Sequence, residues 1–296
     1  MRVFLTGACG TLGRSATTAL LQAGHDVVGL TRRSSPGTDA ALQLVRGSSF
    51  DRPAMTRLMQ GCDAVVNVGP AAPVGYAAIR PGAWRWHDHA QVVGSARVAE
   101  AAATAGVPRL VQVSSSVLYA AAGDDWVDEH STIDLTQTTE PVVIAESNAE
   151  NFGRKSGDHV VLRLGRLVGP HPHTRWMVRR ARSGRPTGFG DPASWIHLLH
   201  VEDAGTAVVC ALTAPPGTYN VGAEPSRRIE LSEQYALAGE RSGARFHSAT
   251  LQRFAGHRLE MLTRSQRVSS QRYSDRTGWY PQHPKLTPEW FDDVTG

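Results

Sequence analysis

The chain opens "MRVFLTGACGTLGRSATTALLQAGHDVVGL", and this stretch limits the fold more than any other. An apolar run, "RVFLTG", meets glycines at positions 7, 10 and 13, then the helical pattern "TLGRSATTALLQAG", which stops at Gly24. A strand, a glycine turn and a helix in that order open a βαβ unit that binds a dinucleotide. Gly7 permits the tight turn, Gly10 lets a pyrophosphate reach the backbone, and Gly13 lets helix and strand pack closely. The unpaired N–H groups and the dipole at the helix start favour phosphate. Without the flanking pattern, the same three glycines would be only a structural turn.

The alternation continues to about residue 165. "HDVVGLTRR", "LQLVRG", "CDAVVNVG", "PRLVQVSSS" and "DHVVLRLG" read as strands. "DRPAMTRLMQG", "HDHAQVVGSARVAEAAATAG" and "EPVVIAESNAEN" read as helices between them. Strands spaced by helices of this length predict an α/β fold, a doubly wound parallel sheet of Rossmann type with helices on both faces. Past Gly169 the chain becomes rich in His, Arg, Trp, Pro and Gly, until "VEDAGTAVVCALT" and "GTYNVG" return to the core. The expected division is a dinucleotide-binding domain, 1–169 with 199–221, and a small C-terminal substrate lobe, 170–198 with 222–296.

Composition narrows the partners. The formal net charge is +4, carried by Arg, since Lys155 and Lys285 are the only lysines. No basic run is interleaved with aromatics, so nucleic acid is not an expected partner. Cys9, Cys62 and Cys210 are scattered without a Cys-x-x-Cys, which points away from a disulfide framework and from a metal site. No segment offers about 18 uninterrupted apolar residues, so no membrane span is expected. The first apolar run is too short for a secretory signal, and the cytoplasm is the expected location.

The end of the second strand bears on the cofactor. An acidic residue there would bond the adenosine ribose and repel a 2′-phosphate. The chain has "GLTRRSS" instead, and Arg32 and Arg33 suit a 2′-phosphate and can stack on adenine. NADP is therefore expected over NAD. Ser48 falls where an adenine contact is expected after the third strand.

The segments "TGACGTLG", "GCDAVVNVGPAAPVG", "VVGSARVAEAAATAGVPRLVQVSSSVLYA", "VLRLGRLVGP" and "HLLHVEDAGTAVV" together resemble the extended short-chain dehydrogenase/reductase superfamily, in its NAD-dependent epimerase/dehydratase branch. The resemblance covers roughly residues 1–222. It implies a seven-stranded Rossmann domain, a small substrate lobe, NAD(P), a small-molecule substrate and a homodimer through the fourth and fifth helices. Expected cofactor contacts are Gly7, Cys9, Gly10, Thr11, Leu12, Gly13, Arg32, Arg33, Ser48, Val68, Gly69, Pro70, Ser114 and Glu146. Ser115, four residues before Tyr119, matches the family's catalytic Ser.

The family's Tyr and Lys should follow as Tyr-x-x-x-Lys on the next helix. No such motif occurs in the chain; aligned on Glu150, Val142 stands at the Tyr position and Glu146 at the Lys position. Val142 has no proton to exchange, and Glu146 has the wrong charge to stabilise a phenolate. Losing a positioned acid/base typically removes about 10²–10⁴ in rate, so ordinary dehydrogenation by the family mechanism is not expected.

Glu146, His87 and His89 are the candidate replacements, alongside a structural reading of each. The histidines lie in "AWRWHDHAQ", a region that borders the substrate cleft in the family. Tyr119 is read as packing, His171 and His173 lack ligand-spaced partners, and His200 is read as structural. Trp176 and Trp195 are expected to wall an apolar or aromatic pocket. Three functions stay open: an atypical NADP-binding enzyme that reduces, epimerises or isomerises a small organic molecule, a non-catalytic NAD(P)-binding redox sensor or regulatory protein, and a redox-neutral lyase or cyclase.

Overall fold

The computed structural model describes residues 1–32, 41–80, 82–248 and 261–294. Arg33 lies outside these residues. Seven parallel strands form the main sheet: β1 (Arg2–Thr6), β2 (Asp26–Thr31), β3 (Leu42–Arg46), β4 (Ala64–Asn67), β5 (Arg109–Ser115), β7 (Asp158–Leu164) and β11 (Gly217–Val221). Their order is β11-β7-β5-β4-β1-β2-β3, so the chain reverses direction across the sheet between β1 and β4. Open α/β sheets bind ligands in the crevice above such a switch point.

Helices cover both faces: α1 (Thr11–Gln22), α2 (Arg52–Met59), α3 (Arg85–His89), α4 (Ser95–Thr104), α5 (Glu140–Lys155) and α7 (Val201–Ala211). A π-turn at Ala90–Gly94 joins α3 to α4. Burial on both faces explains why the central strands are nearly continuous apolar runs. On one side Val3, Leu5, Val66, Val111 and Leu162 pack under α1 and α7. On the other, Phe4, Val65, Leu110 and Val161 pack under α2, α4 and α5. Gly205 is required where α7 crosses α1, since a Cβ there would lie 2.4 Å from the Ser15 hydroxyl.

Shorter pairs attach the lobe. β6 (Trp126–Val127) pairs with β13 (Arg267–Val268), β8 (Arg166–Val168) with β10 (Leu198–His200), and β9 (Trp195–Ile196) with β12 (Ser226–Arg227). The lobe's own core joins Met177 and Val178 of α6 (Pro172–Arg182) to Leu231 and Tyr235 of α8 (Arg228–Ala238) and to Trp290 and Phe291. Helix α9 (Gln271–Thr277) lies on the Rossmann core, where Tyr273 donates to the Ala207 carbonyl at 2.6 Å and Trp279 to Thr206 at 3.0 Å. Both aromatics join the buried cluster under α1 and α7.

Candidate active site

The glycine turn after β1 is shaped by its lack of side chains. Gly7 has φ +66°, and the Gly10 N–H donates to the Gly7 carbonyl at 2.8 Å. A Cβ on Gly13 would sit 2.0 Å from that carbonyl oxygen, so only glycine lets α1 start this close to β1. No side chain caps α1 at Gly10, which leaves its first N–H groups facing the crevice. From the other side of the switch point, Gly69 (φ +76°) follows β4 and approaches Gly7. The cradle is one that a dinucleotide pyrophosphate fits.

At the β2 end, the Arg32 guanidinium lies 3.9 Å over the Trp86 ring. The Ser48 hydroxyl accepts from the Phe50 N–H at 3.2 Å, and Phe50 stacks on His89 with centroids 4.9 Å apart. His87, on the same short helix, lies 3.3 Å from the Asp88 carboxylate. His89 thus sits beside the loop after β3, held there by an aromatic stack.

Helix α5 runs on to Lys155, past the expected 140–151, and the structure gives Glu146 a partner. Glu146 is buried, and both its oxygens face Arg163 of β7, at 2.9 Å from Nε and 2.7 Å from Nη2. The Ser114 hydroxyl donates to the same carboxylate. Arg163 also donates to the Tyr119 hydroxyl at 2.9 Å, and Tyr119 donates to Asn220 at 2.8 Å. Desolvation works against the Arg163 charge, but the Glu146 carboxylate outweighs it and holds the guanidinium above its ordinary pKa. Burial pushes the Tyr119 phenol up, against the pull of Arg163. Ser114 and Glu146, both expected to meet the cofactor, are bonded to each other, and Glu146 is bonded also to Arg163. A guanidinium matches a carboxylate in two parallel bonds, and that match engages both oxygens of Glu146. Arg163 was not among the expected residues; its signal is one Arg inside the apolar run "DHVVLRL". Ser115 is partly buried at the end of β5, and its hydroxyl accepts one long bond from the Val117 N–H at 3.4 Å. Val142 is buried on α5.

Behind Ser115, the Ser116 hydroxyl lies 2.9 Å from Nδ1 of His197. Desolvation pushes the fully buried His197 down to about 3 from 6.5. The folded pKa is below the unfolded one, so acid protonates the unfolded chain first. The stability that neutral His197 contributes is complete above pH 6.5 and is lost as pH falls toward 3. Going from pH 7 to pH 5 is expected to cost about 2 kcal/mol from this residue. Urea midpoints at the two pH values measure it, and His197→Gln is expected to shrink the difference by that amount.

The segment after β4 brings a residue that sequence reasoning missed. The Tyr76 hydroxyl accepts from Arg180 of α6 and from Arg185, both at 3.0 Å. Desolvation raises this phenol, but the two guanidiniums outweigh it and hold the pKa below its ordinary value. Trp176 meets Tyr76 edge-on at 5.9 Å, and a Cβ on Gly75 would sit 2.7 Å from the Trp176 ring. Trp176 therefore packs against the Gly75–Tyr76 turn. Trp195 is placed otherwise: it stacks against Arg227 at 3.6 Å and Arg267 at 4.7 Å and donates to Asp124 at 2.7 Å. Cation–π contact with two arginines holds it in an outer ladder.

Residues 3–222 match the model of the NAD dependent epimerase/dehydratase family. The chain belongs to that family. Its fold is shared with MoeE5 in complex with UDP-glucose and NAD (22% identity, TM-score 0.79, 99% of this chain and 97% of that one). It is also shared with the UDP-glucose 4-epimerase of Thermotoga maritima bound to UDP-glucose (17% identity, TM-score 0.78, 100% and 97%). At such identities the likeness is one of fold. Among curated members of the family, a 3-diazoavenalumate denitrifying reductase from a Streptomyces species is 27% identical over 96% of this chain and 97% of its own. An uncharacterized protein of Mycobacterium tuberculosis is 31% identical over 135 residues, and the match spans 43% of this chain but only 14% of that protein.

Proposed function

We propose that this family member is a reductase that delivers hydride from NADPH to an electrophile needing no proton from the protein, with an aryl diazo compound as substrate class. The observation that carries this reading is the catalytic helix. Aligned on Glu150, Val142 would take the position of the family's proton donor, and Glu146 is closed into a bidentate pair with Arg163. The full-length likeness to a denitrifying reductase named for a diazo carboxylate supports it.

The cofactor would be held by Gly7, Cys9, Gly10, Thr11, Leu12 and Gly13 on one side and by Val68, Gly69 and Pro70 on the other. Arg32 supports NADP: one face of its guanidinium rests on Trp86, and its donors suit a 2′-phosphate. The solved neighbours named above contain NAD or a sugar nucleotide, so the reading of NADP rests on Arg32. Arg32→Ala is expected to weaken NADPH by about 10–100-fold, the worth of charge-assisted bonds, and NADH by less than about threefold; calorimetric titration of both variants measures it.

When bound, a reduced nicotinamide supplies a hydride. A ketone that accepts hydride becomes an alkoxide and must then be protonated. An aryl diazonium need not be: its C–N bond breaks, N₂ leaves with that electron pair, and the hydride pair forms the C–H bond. Charge and atoms balance with no proton moved. Ser115 would bond a substrate oxygen, and Arg180 and Arg185 around Tyr76 would anchor a carboxylate.

The test gives the purified protein NADPH with an aryl diazonium carboxylate, and separately with the matching ketone. The reading expects NADPH loss and N₂ release with the first, and deuterium from 4-deuterated NADPH on the ring carbon. Faster turnover of the ketone would overturn it. Tight NADPH binding with no turnover of either would favour the sensor, and turnover indifferent to cofactor oxidation state would favour a lyase or cyclase.

A further inference from the structure

On the side of the molecule where α7 begins, His200, Glu202 and His283 each bring a ligand-capable atom into one group, all within 4.8 Å of one another. His200 ends β10, Glu202 is in the first turn of α7, and His283 follows α9, so the group joins the core to the C-terminal segment. Nothing in the reductase reading uses it.

The details point to a cation. Nδ1 of His200 is buried with no hydrogen-bond partner, in a residue only 5% exposed; an orphan of that kind calls for an explanation. His283 is oriented from behind. Its Nδ1 lies 3.2 Å from Oδ2 of the fully buried Asp203. That carboxylate also accepts the backbone N–H groups of Gln282 at 2.8 Å and His283 at 3.0 Å. With Nδ1 so engaged, Nε2 is left toward Glu202, 3.9 Å from its Oε2. A carboxylate behind a histidine is the usual outer partner of a metal-bound imidazole. The two imidazoles are 3.9 Å apart, and Trp290 packs edge-on against both, at 5.4 and 6.4 Å. Glu202 is largely exposed, which leaves a path for an ion.

We propose that His200, Glu202 and His283 bind one divalent transition metal ion of the zinc class, with Asp203 positioning His283. Two imidazoles and a carboxylate suit zinc, cobalt or nickel, whereas calcium and magnesium prefer all-oxygen sites. Three protein ligands leave a fourth, tetrahedral position for water. The ion would fasten the C-terminal segment to the start of α7. The sequence hides this site because His283 lies far from the "HVE" that supplies the other two ligands, and the group contains no cysteine.

The test uses the full chain stripped with a chelator and titrated with Zn²⁺ in a calorimeter, with Co²⁺ absorption as the readout of geometry. The result expected is one Zn²⁺ per chain at micromolar affinity or better and the intense visible bands of four-coordinate cobalt. His283→Ala and Glu202→Gln are each expected to weaken Zn²⁺ at least tenfold while circular dichroism stays unchanged. Glu202→Gln, at an exposed side chain, serves if His283→Ala does not fold. Absent binding, or affinity that neither variant moves, would overturn the proposal.

Discussion

Arg163→Met is expected to lower the stability of the fold by about 3–5 kcal/mol, because it leaves the Glu146 carboxylate buried without a counter-charge. The pair is nearly sealed, with side-chain exposures of 7% for Arg163 and 4% for Glu146. The single variant also removes a donor from Tyr119. Urea titration with circular dichroism measures the loss. The double change, Arg163→Met with Glu146→Leu, is expected to recover most of it, since apolar residues of similar volume replace buried ion pairs at little or no cost. If the double variant is no better than the single one, the damage comes from lost packing at Tyr119 and not from an orphaned charge.

The second large effect is on rate. Ketones and aldehydes are expected to turn over about 10²–10⁴-fold more slowly than an aryl diazonium of matched shape, the factor that a positioned proton donor supplies. The diazonium rate is expected to be level across neutral pH, because its step moves no proton through the protein. Val142→Tyr alone is not expected to rescue ketone turnover. A phenol with a pKa near 10 needs a cation beside it, and Arg163 is already committed to Glu146 and Tyr119. Paired steady-state assays over a pH series measure both points. A bell-shaped diazonium profile would show that a titrating group has been overlooked.

The sheet was legible because its central strands are buried on both faces and its longer helices on one, so apolar runs and the 3.6 period survive in the residue order. The glycine turn was legible for a steric reason: at Gly13 a single Cβ would collide with the backbone of Gly7. The absence of a Tyr-x-x-x-Lys motif from α5 was equally plain. What occupies Glu146 was not, because its partner lies on the next strand and the match is made only when α5 packs across β7. Tyr76 carries no sequence signal; its two arginines come from beyond β8 and reach it across the cleft. Trp195 misled because aromatic residues in a lobe suggest a pocket wall, whereas here the flanking arginines decide its surroundings.

The Glu146–Arg163 pair also governs which neighbours in sequence space the chain can reach. Restoring the family's Lys by Glu146→Lys alone would set two cations together in a buried site. Changing Arg163 first would strand the carboxylate. Each single change at position 146 or 163 is therefore penalised, although a paired change with an apolar residue at position 163 is not. The pair works as a ratchet: two substitutions must arrive together before position 146 can take a lysine.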